Sequence, residues 1–233
     1  MEQTIKGFSM YPIYFITSNE GKLVSMRKWV EPLGIRVHKY RKRINIPERK
    51  LSSVEETAKF KAIDICATVA APFVVQDSGF YLAAIPGFPG PDINRALSTI
   101  GIAGLLEMIA GEVGKRECYF EDVLAFWSPT LEDRLEPVLF KSRVYGRVAT
   151  QSSPNLREEA WSALWTIFIP TGFDSTLAAM SKEEQRRFAD ETRNSKESNS
   201  FLAFAEWIRA NIHYLYLQKS LDELLGDTRR RAR

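Results

Sequence analysis

The segment Val74-Val75-Gln76-Asp77-Ser78-Gly79-Phe80 is the most informative part of this chain. It begins as an apolar run, which predicts a buried strand, and then places a carboxylate and a hydroxyl before a glycine that predicts a turn. In α/β sheets, ligands bind in the crevice beyond the carboxyl ends of the strands. Burying a charged side chain costs free energy unless the charge is paired, so an acid beside a buried strand indicates a partner or a function. We therefore predict a site at Asp77, followed by the turn-rich segment 86–91.

Apolar periodicity on both sides of this segment predicts alternating strands and helices. The predicted strands cover residues 13–17, 35–40, 72–75, 118–127, 138–143, 144–149 and 161–169. The predicted helices cover residues 20–30, 51–69, 93–109, 181–191 and 201–225. No repeat or low-complexity linker separates these elements, so we predict an α/β fold with a long mixed β-sheet flanked by helices.

The composition is that of an ordinary globular protein, with 45% apolar and 26% charged residues over a length of 233. A net charge of +3 is too small to indicate nucleic-acid binding, although residues 229–233 form a basic tail. No apolar run is long enough to span a membrane, and the N-terminus lacks the pattern of a signal peptide. Cys66 and Cys118 lie in apolar stretches, which indicates core thiols in a reducing compartment. We expect a cytoplasmic protein that binds neither membrane nor nucleic acid.

A cluster of polar residues, Thr17-Ser18-Asn19 with Lys22 one turn further on, lies where the first predicted strand meets the first predicted helix. The free N–H groups and positive dipole end of a helix N-terminus suit a phosphate, and Lys22 adds a full charge. The cluster does not have the glycine and Lys-Ser/Thr pattern of a Walker loop. Two interpretations stay open, a phosphate site and a helix cap beside a surface lysine.

A divalent metal is the second predicted ligand, because two carboxylates stand at element junctions. Glu56 lies in the first turn of the helix predicted from Leu51, and Asp77 ends the predicted buried strand. Mg²⁺, or Mn²⁺ in its place, is commonly bound by one or two carboxylates together with phosphate oxygens. Asp77 would also orient or deprotonate an attacking water. For Glu56 the alternative is an ordinary first-turn acid that complements the helix dipole.

The order of these motifs resembles the inosine triphosphate pyrophosphatase family, the noncanonical purine nucleoside triphosphate pyrophosphatases. The resemblance rests on the segments 17–22, 56–62, 77–79, 87–91, 140–148 and 168–184. An ordered set of this kind is more specific than any single motif. It implies a long mixed sheet between two lobes, an active-site cleft between the lobes, and a homodimer.

The resemblance also implies an activity, the metal-dependent hydrolysis of a purine nucleoside triphosphate such as ITP, dITP or XTP to its monophosphate and pyrophosphate. Lys22, Glu56 and Asp77 would be the catalytic residues, with Glu56 and Asp77 holding the metal and Asp77 activating water. The residues implied to bind phosphate are Thr17, Ser18, Asn19, Lys22, Ser78 and Gly79.

Two departures from the family pattern concern the metal and the base. Gln76 stands where the family usually has a second acid before Asp77, which would remove a negative charge from the metal neighbourhood. The family's aromatic-Gly-aromatic-Asp-Pro motif aligns with residues 162–166 without its acid, and its Ser-His-Arg triplet aligns with residues 195–197 without its histidine. The candidate base-binding residues are therefore Trp165, Phe168 and Lys196.

The predicted family domain covers residues 1–208, and residues 209–233 are expected to form a helical extension with the basic tail. The apolar stripe of the predicted helix 201–225 has two open interpretations, packing on its own core or docking of a protein partner.

Two classes of function follow. One is a working pyrophosphatase, and the other is a nucleotide sensor with little or no catalysis that signals to a protein effector through the C-terminal helix, as in antiviral defence. We favour the enzyme, because Lys22, Glu56 and Asp77 are all retained.

Overall fold

The computed structural model describes residues 8–47, 49, 51–111, 115–131, 133, 135–158 and 160–218. The strands in this part of the chain are β1 (Phe8–Met10), β2 (Ile13–Phe15), β3 (Val37–Lys39), β4 (Phe73–Leu82), β5 (Pro89–Gly90), β6 (Glu117–Trp127), β7 (Val138–Val148), β8 (Phe168–Pro170) and β9 (Tyr216–Gln218). The α-helices are α1 (Glu20–Val30), α2 (Val54–Cys66), α3 (Ile93–Thr99), α4 (Gly101–Met108), α5 (Lys182–Arg193) and α6 (Ser200–Ala210).

Seven of the described strands form one mixed sheet in the order β3-β2-β4-β6-β7-β8, with β5 paired to the end of β4. Strand β2 runs parallel to both β3 and β4. The β4–β6, β6–β7 and β7–β8 pairs are antiparallel. The predicted α/β class, with a mixed sheet flanked by helices, is therefore confirmed.

Strand β4 is longer than the sequence predicts, because it continues past Asp77 as far as Leu82. All its residues pair with β6, from Phe73 opposite Trp127 to Leu82 opposite Cys118. The turn expected after Asp77 is therefore wrong, and this carboxylate lies in the middle of a strand rather than at its carboxyl end.

Gly79 lies inside β4 and serves close packing. A Cβ atom at this position would lie 2.4 Å from Val54 Cγ2 and 2.7 Å from the Gly90 carbonyl oxygen. The absent side chain lets the start of α2 and strand β5 both approach the backbone of β4.

Two hydrophobic clusters lie along the long central strands. The first gathers α1, α2, α6, the first three residues of β4 and Tyr81 near its end. The second gathers Phe80 and Leu82 at the far end of β4 with α4 and the segment that includes β8. The polar residues 76–78 lie between these ends of β4. This arrangement agrees with the expected pair of lobes around a central site.

The C-terminal part differs from the predicted helix 201–225. Helix α6 ends at Ala210, and the Asn211 side-chain amide donates to the Trp207 carbonyl at 2.8 Å. A 3-10 turn follows, and β9 then pairs antiparallel with β1. Trp207 stacks on Tyr214 with ring centroids 5.6 Å apart. The described part of the extension therefore packs on its own domain, while residues 219–233, including the basic tail, lie outside the described residues.

Four other predicted elements are corrected. The predicted helix 93–109 is two helices, α3 and α4, which meet where Gly101 has a φ of +64°. The predicted strand 161–169 is a 3-10 turn followed by the short β8, and the strands predicted at 138–143 and 144–149 are the single strand β7. Among the described residues, no helix has the length and apolar character needed to span a membrane.

The replacement Gly79→Ala is expected to lower the free energy of unfolding by about 1–3 kcal/mol, because the added methyl group overlaps Val54 and Gly90. Gly111→Ala is the matched control, since, apart from its chain neighbours, no atom of the described residues lies within 4 Å of a Cβ built there. Urea denaturation measures both variants. Equal stability of the two would contradict the packing role of Gly79.

Candidate active site

The parallel ladder between β2 and β4 is short, and its end exposes the polar part of β4. Its last pair is Phe15 with Val74, and the Ile16 N–H donates to the Val74 carbonyl at 3.0 Å. Beyond this point the chain leaves β2 and enters α1, while β4 continues to Leu82. The edge of β4 beyond Val74 therefore faces the loop 17–19 and the N-terminus of α1.

The predicted polar cluster forms the entry to α1. Asn19 is its N-cap, and its side-chain oxygen accepts from the Lys22 N–H at 3.1 Å. The Asn19 N–H donates to Thr17 Oγ1 at 3.0 Å, and Ser18 is exposed. The first N–H groups of the helix have no acceptor within it, so this end presents free donors and a positive dipole. Asn19 therefore caps α1 as predicted, and the remaining free N–H groups leave room for a phosphate at the same end.

The Lys22 side chain reaches from the first turn of α1 to the middle of β4. Its Nζ donates to Ser78 Oγ at 2.8 Å, and the Ser78 hydroxyl donates to the Asp122 carboxylate. Burial lowers the pKa of Lys22, while the negative charges of Asp122 and Asp77 oppose that shift. The ammonium is therefore a partly desolvated cation near two carboxylates. Desolvation strengthens the attraction of this cation for an anion, whereas the two carboxylates oppose that attraction.

Asp77 points to the opposite face of β4 from Ser78, since successive side chains of a strand alternate. Its carboxylate accepts from Lys61 Nζ of α2 at 3.0 and 3.3 Å. The Asp77 side chain is 20% exposed and that of Lys61 is 29% exposed, so both can meet a ligand from solvent. Lys22 and Asp122 complete this cluster, because the charges of Asp77 and Lys61 both act on Lys22.

Glu56 makes a set of hydrogen bonds at the start of α2. Its exposed carboxylate accepts from the Ser52 N–H at 3.2 Å and from the Ser52 hydroxyl at 2.7 Å. These hydrogen bonds lower the pKa of Glu56. The described contacts do not join Glu56 to Asp77, so the predicted pair of metal-binding carboxylates is not brought together by direct contact.

The residues present fit a metal that is bound jointly with a ligand. In the part of the chain that the structure describes, no three His, Cys, Asp or Glu side chains form a group that could hold a metal ion by themselves. Mg²⁺ usually keeps several waters and takes one or two carboxylates plus phosphate oxygens. Asp77, with its exposed carboxylate, fits that smaller requirement.

The Gln76 side chain is not beside Asp77. It is 8% exposed and faces α6, where its Nε2 donates to Ser200 Oγ at 3.0 Å. Its Oε1 is buried without a hydrogen-bond partner among the described residues. The alternation of β4 turns Gln76 to the face opposite Asp77, the face that also carries Ser78, and its expected place in the metal neighbourhood stays a prediction.

A cavity of about 550 Å³ lies between α1, α5 and the start of α6. Ser25 and Trp29 of α1 line it, and they lie on the same helix face as Lys22 because they follow it by three and seven residues. Trp29 is roughly 10 Å along the helix axis from Lys22 at the usual rise per residue. The aromatic residues of the lining are Trp29, Trp165, Phe188 and Phe201, and its charged residues are Lys28 and Arg193.

The three candidate base-binding residues lie in different places. Trp165 lines the cavity, and its Nε1–H is buried with no acceptor among the described residues. Phe168 is fully buried in β8. Lys196 forms an exposed ion pair with Glu206 at 2.8 Å. Of the three, Trp165 alone is positioned to contact a ligand in the cavity.

Sequence reasoning missed Lys61 and Asp122 as members of the cluster. Lys61 follows Val54 by seven residues, so it lies near the buried stripe of α2, and this spacing was a usable signal. Asp122 follows Glu121 in the middle of β6, and its place opposite Ser78 depends on the strand register. That register is not evident from local sequence.

The replacement Lys22→Ala is expected to weaken the binding of inorganic tripolyphosphate about tenfold to a hundredfold, because hydrogen bonds to charged groups contribute roughly 1.5–3 kcal/mol. The melting temperature without ligand should change little. Lys182→Ala, at an exposed lysine of α5, is the control and should bind like the parent protein. Isothermal titration calorimetry measures the affinity. Lost stability with unchanged affinity would leave Lys22 a structural residue.

Comparisons of the sequence and of the structure with known proteins agree on one family. The model of the Ham1 family matches residues 13–198. A dITP/XTP pyrophosphatase of Thermococcus kodakarensis is 35% identical over 85% of this chain and 97% of its own length. One of Methanopyrus kandleri is 32% identical over 86% of this chain and 97% of its own length. The structure of a HAM1 protein from Coxiella burnetii superposes with a TM-score of 0.70 and 20% identity, covering 85% of this chain and 98% of that one. This chain belongs to the Ham1 family.

Proposed function

We propose that this protein is a metal-dependent nucleoside triphosphate pyrophosphatase that acts on noncanonical purine nucleotides, converting ITP, dITP or XTP to the monophosphate and pyrophosphate. Relatives named dITP/XTP pyrophosphatases support this activity. The observation that carries it is the position of Lys22, which contacts the open edge of β4 at Ser78 and begins the helix face that continues into the cavity.

A nucleotide of this kind would lie along α1. Its phosphates would meet the free N–H groups at the helix start together with Lys22 and Lys61. Its base would enter the cavity near Trp29 and Trp165. The separation of roughly 10 Å between the two ends of this face suits the length of a nucleotide.

The reaction would be an in-line attack of water on the α-phosphorus. Asp77 would accept a proton from the water as the new phosphorus–oxygen bond forms, and the bond from the α-phosphorus to the bridging oxygen would break. Pyrophosphate would leave with the electron pair of that bond. Lys61 would transfer its hydrogen bonds from Asp77 to the phosphate oxygens, which frees the carboxylate for this task.

Mg²⁺ or Mn²⁺ is proposed as the cofactor, held by Asp77 and by oxygens of the triphosphate. When bound, such an ion neutralises the charge that develops on the phosphate oxygens. Glu56 remains a predicted second ligand, and it would have to leave its hydrogen bonds to Ser52 to reach the ion.

The base end of the site favours a purine with keto groups. The charged side chains of the cavity lining are the cations Lys28 and Arg193, and Trp165 adds a buried N–H that has no acceptor in the described part of the chain. Keto oxygens supply acceptors to such donors, whereas an exocyclic amino group adds another donor.

The sensor hypothesis is not proposed further. Its docking helix ends at Ala210 in the structure, and the strand that follows pairs with β1. The homodimer stays a prediction.

Asp77→Asn is expected to reduce pyrophosphate release by roughly 10²–10⁴-fold, because it keeps the shape of the side chain but removes the base and the charge. Asp174→Asn, at an exposed acid paired with Arg147, is the control and should retain parent activity. A coupled assay of pyrophosphate with XTP and dITP measures both, and circular dichroism checks the fold. Parent-like turnover in Asp77→Asn would refute the assigned role.

Trp165→Phe is expected to raise KM for XTP about three- to tenfold, since it removes one hydrogen-bond donor and keeps an aromatic ring. Trp161→Phe is the matched control, because this indole is 64% exposed and is not part of the cavity lining. Steady-state kinetics measure the KM for XTP of both variants. A KM raised equally in both variants would mean that the Trp165 N–H does not meet the base.

A further inference from the structure

We propose that Asp122 is a positioning residue of this site, one that acts through the Ser78 hydroxyl to hold the Lys22 ammonium in place for the phosphates. The proposal rests on the proposed function and adds to it a residue outside the predicted phosphate, metal and base sets.

The register of the sheet places Asp122 directly opposite Ser78. Strands β4 and β6 are antiparallel, so paired residues point to the same face, and the Ser78 hydroxyl donates to the Asp122 carboxylate. On its other side Ser78 Oγ accepts from Lys22 Nζ at 2.8 Å. The three side chains form one directed chain of hydrogen bonds.

The direction of this chain follows from the number of protons. A serine hydroxyl has a single proton and two lone pairs, whereas an ionised carboxylate can only accept. Because the proton is directed to Asp122, the lone pairs of Ser78 face Lys22. Without Asp122 the hydroxyl would be free to rotate, and Lys22 would lose a fixed acceptor. Fixed donors contribute more to binding and catalysis than mobile ones do.

The charge of Asp122 has the opposite effect on a bound phosphate. A carboxylate near Lys22 repels a triphosphate, so removing the charge alone should tighten binding. Removing the hydrogen-bond acceptor should weaken it. Asparagine removes the charge but keeps an acceptor for Ser78, whereas alanine removes both. The two replacements at one position therefore separate positioning from simple electrostatics.

The experiment measures the affinity for inorganic tripolyphosphate and the kcat and KM for XTP. The variants are Asp122→Ala, Asp122→Asn, Ser78→Ala and the double Ser78→Ala/Asp122→Ala, with Asp174→Ala as control for loss of an exposed acid. We expect Asp122→Ala to weaken tripolyphosphate binding about three- to tenfold and to lower kcat, as one lost hydrogen bond would. Asp122→Asn should bind as tightly as the parent protein or tighter.

The double variant tests the route of the effect. If Asp122 acts through Ser78, the double variant loses no more affinity than Ser78→Ala does. Losses that multiply in the double variant would overturn the proposal, as would tighter binding by Asp122→Ala. If Asp122→Ala does not fold, weaker binding by Asp122→Asn than by Ser78→Ala would overturn it instead. If the variants bind tripolyphosphate in the expected pattern but the parent protein releases no pyrophosphate, the proposed function is refuted and the positioning role stands.

Discussion

The unbroken pairing of β4 with β6 is the constraint on which the site depends. It carries Asp77 and Ser78 into the middle of a strand that begins in one hydrophobic cluster and ends with its residues shared between that cluster and a second. The apolar ends stabilise the strand, and its polar middle is held without a turn or loop of its own. Side chains on such an element are more precisely placed than side chains on a loop.

The cost of placing charges in the middle of the sheet is offset by pairing on both faces. On one face Lys61 of α2 binds Asp77. On the other face Lys22 of α1 binds Ser78, which in turn binds Asp122. Two cations and two anions thus compensate one another in the absence of ligand. A polyphosphate with its metal adds anions and a cation to this set, so it can enter by exchange of partners rather than by burial of unpaired charge.

Much of the local structure was predictable from sequence. Ser53 caps α2 and Asn19 lies at the start of α1, as the capping pattern indicates. The length of β4 was not predictable, because Gln76 to Gly79 has turn-like composition and only pairing with β6 overrides it. The same applies to the C-terminus, where the apolar spacing continues past Ala210 but pairing of β9 with β1 ends the helical pattern. In each case a contact distant in sequence decided the outcome.

The site residues also fall into two groups, those that local sequence predicts and those that depend on contacts distant in sequence. Lys22 and Asp77 could be selected from their positions beside predicted elements. The faces of β4 to which Gln76 and Asp77 point could not be predicted, since they depend on how far the strand extends. Asp122 required the register of two long strands. The cavity joins α1 to α5 and α6, and its lining is set by packing rather than by a motif.

The position of bond cleavage tests the central claim most directly. In the experiment, the protein is incubated with XTP and Mg²⁺ in water enriched in the heavy oxygen isotope. Mass spectrometry then locates the label in the products. Attack on the α-phosphorus predicts xanthosine monophosphate that carries one heavy oxygen, together with unlabelled pyrophosphate. Label in the pyrophosphate, or products that are a diphosphate and inorganic phosphate, would contradict the account.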